Sequence, residues 1–150
     1  MAADDSPSPY RIIKTLRRTE RIIASILDAA VRDLDLTAAQ FHVLEELTVT
    51  SVLHVGELAS RHRVTRQSMQ GIVRNLARTD LVELAPKEHG VRNIWLTEGG
   101  RDRLLSAREA VFEIERRVAA ATDANGALLI RLLSGIGRSL EGNSGEWWSD

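Results

Sequence analysis

The chain has 150 residues, a net charge of −1 and no cysteine. This length fits about one domain, and the near-zero charge excludes a polycation that binds any anionic surface. The absence of cysteine excludes disulfides, thiolate zinc sites and thiol-based redox sensing. The amino-terminal residues MAADDSPSPY are acidic and have no apolar core. We therefore expect no secretory signal, no membrane helix and a cytoplasmic location.

Two helices are predicted in the first third of the chain. Residues 1–9 are expected to be disordered, because Pro7 and Pro9 disfavour a helix. A helix follows from Tyr10 to about Asp33, with apolar residues every three or four positions. Its other side carries Arg11, Lys14, Arg17, Arg18 and Arg21, for which a solvated face is the simplest interpretation. Thr37 then caps a second helix that contains Phe41, Val43, Leu44 and Leu47 and ends near residues 49–51.

The segment from His54 to Thr97 has the pattern of two short helices followed by a β-hairpin. The first helix runs from Val55 to about His62, and Thr65 can cap the second. In that second helix Met69, Ile72, Val73 and Leu76 are spaced as one buried stripe. The opposite face carries residue types that reach base edges and phosphates, namely Arg66, Gln67, Gln70, Gly71 and Arg74. This arrangement predicts a helix-turn-helix whose second helix, to about Thr79, enters the major groove of DNA.

The predicted hairpin makes the helix-turn-helix a winged one. Its strands are Leu81–Leu84 and Asn93–Leu96, and its polar tip lies around residues 86–92. From His54 to Arg103 there are nine basic and six acidic residues, a local charge of +3 in a chain of net charge −1. The positive charge therefore lies in the segment where phosphates would be met.

Two apolar helices are predicted after the wing. One runs from Glu98 to about Ala121, and the last begins at Asp123 or Asn125 and ends at Gly142. The apolar residues of the terminal helices exceed what a short chain can cover by itself, which favours a twofold dimer. We thus expect a mainly α fold with residues 36–97 as the DNA-binding lobe, residues 10–34 and 98–141 as a helical dimerisation region, and residues 142–150 as a tail.

Five short motifs in order resemble the MarR (multiple antibiotic resistance regulator) family of winged helix-turn-helix regulators. They are Leu-Thr-x-x-Gln-Phe-x-Val-Leu (residues 36–44), Glu-Leu-Ala (57–59), Val-Thr (64–65), Leu-Val (81–82) and Leu-Thr-Glu-x-Gly-Arg (96–101). The matched stretch covers roughly half of the chain. The sequence departs from the family pattern at Arg63 and Asp80, where glycine is usual, and at Leu84, where a basic residue is common. It also has Glu88-His89-Gly90 where the wing usually carries Asp-x-Arg.

The resemblance implies a homodimeric regulator, more often a repressor, that binds double-stranded DNA at a pseudo-palindromic operator. The expected DNA-binding residues are Thr65, Arg66, Gln67, Ser68, Gln70 and Arg74 of the recognition helix with Lys87, His89 and Arg92 of the wing. Because the wing lacks its usual arginine, we expect weaker or purely phosphate contacts there. Many relatives respond to small aromatic or phenolic acids. The candidate residues for binding such an effector are Arg17, Arg18 and His42. A partly exposed helix histidine remains the simpler interpretation of His42.

The sequence argues against an enzyme and leaves one other class of function open. The four histidines are scattered, and metal-binding spacings, nucleophile elbows and phosphate-binding glycine loops are absent, so no enzyme, metal or cofactor is predicted. His54 and His62 are expected at helix edges. A winged-helix protein-interaction module that has lost strong DNA binding stays open as the alternative, because the wing departs from the family pattern and the net charge is near zero.

Overall fold

The computed structural model describes residues 9–50, 53–86 and 92–142. It is mainly helical with one small antiparallel sheet, which confirms the predicted fold class. The chain divides within its fifth helix into two compact units, Met1–Phe112 and Glu113–Asp150. In chain order the elements are α1 (Pro9–Val31), a 3-10 turn (Arg32–Leu34), α2 (Ala38–Val49), β1 (Leu53–His54), α3 (Val55–Arg61), α4 (Arg66–Arg78), β2 (Val82–Leu84), β3 (Asn93–Leu96), α5 (Glu98–Thr122), a 3-10 turn (Asp123–Asn125) and α6 (Gly126–Gly142).

Most predicted helix limits agree with the structure to within two or three residues, and one terminal assignment is wrong. Pro9 was placed in a disordered terminus, yet it begins α1. Proline suits the first position of a helix, because the N–H that it lacks would have no intrahelical acceptor there. The other expected disordered residues, 1–8, and the tail after Gly142 lie outside the described residues.

The start of α2 follows its sequence signals closely. Thr37 is the N-cap: its hydroxyl accepts a hydrogen bond from the Gln40 N–H at 3.2 Å. The Gln40 side chain reaches back, and its Oε1 accepts from the Thr37 N–H at 2.8 Å. This reciprocal capping box satisfies two backbone donors that the first helical turn would otherwise leave unpaired.

The wing strands pair as predicted, and a third strand joins them. β2 pairs antiparallel with β3, with Val82 opposite Leu96 and Leu84 opposite Ile94. On the other edge of β3, Leu53 of β1 pairs with Ile94, so the strand order is β1-β3-β2. The sequence did not predict β1, because two residues are too few to show an alternating pattern.

The core of the first unit lies between the helices of the lobe and the inner face of the sheet. Residues of α2 and α4 and the buried side of the sheet form one cluster with the start of α5. Gly100 lies at that start, where an added Cβ would collide with the Leu81 carbonyl oxygen. The fully buried large side chains of this core include Leu44, Leu53, Leu58, Met69, Leu76, Ile94 and Leu104.

The helix α6 of the second unit leaves large apolar side chains in solvent. Leu132 is 56% exposed, and Leu133 and Ile136 are also uncovered, at 42% and 40%. Leu128, Leu129, Ile130 and Leu140 on the same helix are exposed as well. An apolar surface of this size is unusual on a soluble protein unless another molecule covers it. Within the described residues, no helix has both the length and the apolarity that crossing a membrane requires.

Candidate nucleic-acid interface

The helix α4, which the sequence predicts to be the recognition helix, is capped at its start by Thr65. The Thr65 hydroxyl accepts from the Ser68 N–H at 3.1 Å and lies 2.8 Å from the Ser68 Oγ. On the inner side of the helix Met69, Val73 and Leu76 are buried and Ile72 is partly buried. The predicted cap and the predicted apolar stripe are therefore both present, and they determine which face of α4 points outward.

The predicted DNA-binding side chains of α4 all lie on the solvent side. At about 100° per residue, Gln67, Gly71 and Arg74 follow one line opposite the buried stripe. Thr65, Arg66, Gln67, Ser68, Gln70 and Arg74 are each exposed. Nothing lies within 4 Å of a Cβ built on Gly71, so packing within the chain does not require glycine there.

The arginines of this face differ from the neighbouring arginines in their partners. Arg61 of α3 binds Glu46 at 2.6 Å and Glu57 at 2.8 Å, and Arg108 of α5 binds Glu45 through two nitrogens at 2.6 and 2.8 Å. Hydrogen bonds to these glutamates raise the pKa of both guanidinium groups. Among the described residues, by contrast, Arg66 and Arg74 have no ion pair and no side-chain hydrogen bond. Their charge is therefore available to an external anion.

One further basic residue of this surface was not identified from the sequence. Arg78 is exposed in the last turn of α4, and no ion pair to it occurs in the part of the chain that the structure describes. It follows Arg74 by four residues, so that the two side chains lie on neighbouring turns of one face. That spacing was a signal available in the sequence, but Arg78 lay close to the expected helix end at Thr79.

The wing is described only at its base. Arg92 is exposed immediately before β3, while Lys87 and His89, the other two predicted contacts, lie outside the described residues, as does Gly90. On the outer face of the hairpin the Trp95 Nε1 donates to the Glu83 Oε2 across the strand pair at 2.7 Å. This bond holds an acidic group on the wing, where a phosphate-binding surface would gain from a basic one.

The three candidate effector residues are exposed, and the structure does not join them. Arg17 and Arg18 lie on α1 and His42 lies on α2, where its ring is 5.4 Å from the Phe41 ring. No hydrogen bond or ion pair within the described residues connects either arginine to His42. A surface groove beside Arg18 is lined by α1 alone, through Arg21, Ile22, Ser25 and Ile26.

Two histidines lie at helix edges, which confirms their predicted positions. His54 is the N-cap of α3, and its Nδ1 accepts from the Glu57 N–H at 3.1 Å. His62 is the C-cap of the same helix, and its Nε2 is buried without a hydrogen-bond partner among the described residues. Burial lowers the pKa of His62, and the nearby His42 lowers it further, while Glu46 acts in the opposite direction.

Comparison with known proteins finds similar sequences and folds. The MarR family model matches residues 34–92. The crystal structure of the M. tuberculosis transcriptional regulator MosR is 26% identical and covers 92% of this chain and 98% of its own, with a TM-score of 0.76. MosR in complex with DNA is 25% identical, covers 88% of this chain and 97% of its own, and gives a TM-score of 0.74.

Two further structures have the same fold at lower identity. Sco5413, a MarR family transcriptional regulator from Streptomyces coelicolor, is 24% identical over 89% of this chain and 94% of its own, with a TM-score of 0.76. A cysteine-to-serine mutant of MarR from E. coli, complexed with operator DNA, is 22% identical over 87% of this chain and 99% of its own, with a TM-score of 0.73. A search of curated protein sequences gave no match. The chain thus resembles MarR-family transcriptional regulators in fold, and its winged-helix lobe, residues 34–92, matches the model of that family.

Proposed function

We propose that this protein is a homodimeric transcriptional repressor that binds a pseudo-palindromic DNA operator through α4. The observation that carries the proposal is the outward face of α4. It presents Arg66, Gln67, Gln70 and Arg74 to solvent, and among the described residues neither arginine is neutralised by an acidic side chain. Arginine pairs with guanine N7 and O6 and glutamine pairs with adenine N6 and N7, so the face has the donors and acceptors for direct base readout. The DNA complexes of MosR and MarR support the same assignment by similarity.

DNA binding and dimerisation are assigned to different parts of the chain. We assign residues 36–97 to DNA binding and residues 10–34 and 98–141 to dimerisation. Uncovered leucines and isoleucines on α6 supply an apolar surface that a second copy would cover. Two copies related by a twofold axis present two α4 helices, which is why the operator is expected to be a pseudo-palindrome.

DNA binding is tested by footprinting on the DNA upstream of the protein's own gene, followed by titrations with variants. Arg74→Ala and Gln70→Ala should each lower operator affinity by about 1–3 kcal/mol if the contact is bidentate, and should relax base preference at one position per half-site. Arg138→Ala is the matched control, because it removes the same charge from an exposed position on α6. Operator binding by both α4 variants at wild-type affinity would contradict the assignment, and a wild-type protein that binds no DNA would favour a protein-interaction module.

An effector site on α1 is a separate part of the proposal. Arg18 lies beside the apolar side chains of Ile22 and Ile26, so a carboxylate could pair with the guanidinium while an aromatic ring covers the groove. Arg17 and His42 are the other proposed contacts. Benzoate and salicylate are suitable probes: salicylate should release the wild-type protein from its operator, and release should be lost in Arg18→Ala. Equal release of wild type and Arg18→Ala would exclude this site.

A further inference from the structure

Gln40 is a polar side chain within the apolar core of the lobe. It is 8% exposed, and every other buried residue in the described part of the core is apolar. Its amide is engaged in two directions: the Oε1 accepts from the Thr37 N–H at 2.8 Å, and the Nε2 donates to the Asn75 Oδ1 at 2.6 Å. Because Asn75 belongs to α4, a partly buried hydrogen bond joins the first turn of α2 directly to the proposed recognition helix.

The same turn of α2 is also held from the other side. The Ala38 N–H donates to the Asp28 Oδ1 of α1 at 2.6 Å. Asp28 therefore satisfies one of the free backbone donors at the start of α2, and its negative charge favours that helix end. The start of α2 is thus a common support that contacts α1 through Asp28 and α4 through Gln40.

The position of Asn75 on α4 determines what this bond can do. Asn75 is half-buried and lies on the flank of the helix, between the buried stripe that includes Leu76 and the outward line that includes Gly71 and Arg74. Apolar packing is non-directional and tolerates small rotations of a helix about its axis. A short hydrogen bond is directional and weakens steeply when its angle changes. A bond at the flank therefore resists the rotation that would turn the outward face away from the groove.

We propose that Gln40 is a positioning residue for DNA recognition. Its bond to Asn75 fixes the rotation of α4 about its axis relative to α2, and the Asp28 bond holds the same turn of α2 against α1. The inference rests on the proposed DNA-binding function. The competing account is purely structural, with the Gln40–Asn75 pair satisfying its own buried polar groups and contributing only to folding.

The two accounts predict different results in a double-mutant cycle in which both operator affinity and the free energy of unfolding are measured. Gln40→Met and Asn75→Leu keep the side-chain volumes and remove the hydrogen-bonding groups. We expect each single variant to lose about tenfold in operator affinity, the scale of one buried hydrogen bond whose partner is left unpaired. The double variant should regain the part of the stability that each single variant loses by leaving one amide of the pair unpaired, although the Thr37 N–H still lacks its Gln40 acceptor, while its operator affinity stays about tenfold below wild type. The two losses are thus expected to be non-additive.

Two further variants separate positioning from stability. Thr37→Ala removes the cap hydroxyl of the same helix but leaves the Gln40–Asn75 bond, so stability should fall while operator affinity stays within about twofold of wild type. Gln40→Glu keeps an acceptor for the Thr37 N–H and can accept from Asn75 once that amide turns over. It should therefore keep most of the operator affinity that Gln40→Met loses.

Three results would overturn the inference while wild-type protein binds its operator. Gln40→Met could bind with wild-type affinity, the double variant could lose the product of the two single effects, or Thr37→Ala could lose as much affinity as Gln40→Met. Failure of wild-type protein to bind specific DNA in the same titration would instead overturn the proposed function.

Discussion

Three helical segments of the first unit end in a left-handed turn at a residue other than glycine. Asp35, Arg63 and Asp80 have φ values of 54°, 52° and 59°, in the left-handed region. After α4, the Asp80 N–H donates to the Ala77 carbonyl and the Leu81 N–H donates to the Leu76 carbonyl, which is the Schellman pattern. Glycine is the residue best suited to the left-handed position, because a Cβ costs energy there. Arg63 and Asp80 are the two turn positions where the sequence departs from the family's usual glycine, and the structure keeps the turn at both.

Asp80→Gly is expected to stabilise the protein by about 0.5–1 kcal/mol. Relief of the left-handed strain exceeds the added entropy of glycine in the unfolded chain, and the Asp80 carbonyl still accepts from the Thr97 Oγ1. Urea unfolding followed by circular dichroism measures the change. Asp80→Ala is the control, since alanine keeps the Cβ and tolerates the left-handed region less well than aspartate. A protein in which Asp80→Ala is as stable as Asp80→Gly would contradict the strain argument.

The partly buried ring of His62 predicts that the free energy of unfolding depends on pH. Burial lowers its pKa in the folded state below the unfolded value of about 6.5. The folded state thus binds fewer protons than the unfolded state at acidic pH, and stability that is present above about pH 6.5 is lost as the pH falls from there through the folded pKa. Unfolding free energy measured from about pH 7.5 to pH 5 should decline less in His62→Gln than in wild type. Parallel curves for the two proteins would remove His62 as the cause.

At the scale of whole elements, local signals predicted the helices well and the sheet less completely. Thr37 and Thr65 are caps whose hydroxyls act within three residues, so the sequence window contains both partners. The strand β1 exists only through its pairing with β3, about 40 residues away, and nothing local distinguishes it from a loop. The 3-10 turns that follow α1 and α5 likewise fall where helix ends are least defined by pattern.

A charge on the apolar side of α6 should separate the proposed dimer. Leu132 and Leu133 are about half exposed in the single chain, and burying a leucine fully contributes about 1.5–3 kcal/mol. Leu132→Asp combined with Leu133→Asp should convert dimer to monomer or to aggregate in sedimentation equilibrium, and operator binding should be lost with it. Ser134→Asp adds a charge at an exposed polar position of the same helix and should leave the dimer intact. A double-aspartate variant that remains a dimer would exclude this face of α6 from the interface.

The wing is expected to contribute less than its fold allows. An arginine at a hairpin tip can enter the narrow, negative minor groove, and the sequence has Gly90 at the aligned position. Gly90→Arg should tighten operator binding and steepen the salt dependence of its affinity by about one unit of slope per wing, or about two per dimer. Arg92→Ala should weaken binding if Arg92 takes the place of the missing arginine. An unchanged salt slope in Gly90→Arg, together with no effect of Arg92→Ala, would mean that the hairpin does not approach DNA in this way.

At the scale of the whole molecule, periodicity predicted which side chains face outward but not which ones meet. The outward position of Arg74 follows from its spacing to Met69 and Val73 on a single helix. The bond from Gln40 to Asn75 spans 35 residues, and the pair from Glu45 to Arg108 spans 63. Such contacts depend on how helices pack, and a single sequence contains no local signal for them. The sequence therefore predicted which side chains form the surface of the candidate site. It did not predict the contacts between helices that hold this surface in place.

The symmetry of the proposed dimer sets the spacing of the two operator half-sites. If two copies present one α4 each, the operator should contain two inverted half-sites whose centres are separated by about 10–10.5 base pairs or a multiple. Inserting about five base pairs, half a helical turn, between the half-sites turns one of them to the opposite side of the duplex, so that both helices cannot bind at once. Affinity should then fall to that of a single half-site, whereas an insertion of about ten base pairs should recover part of it, because the two sites face the same side again. Footprint titrations on the unmodified operator and both insertions measure this. Equal affinity for the half-turn insertion and the unmodified operator would show that the two recognition helices do not bind as one symmetric unit.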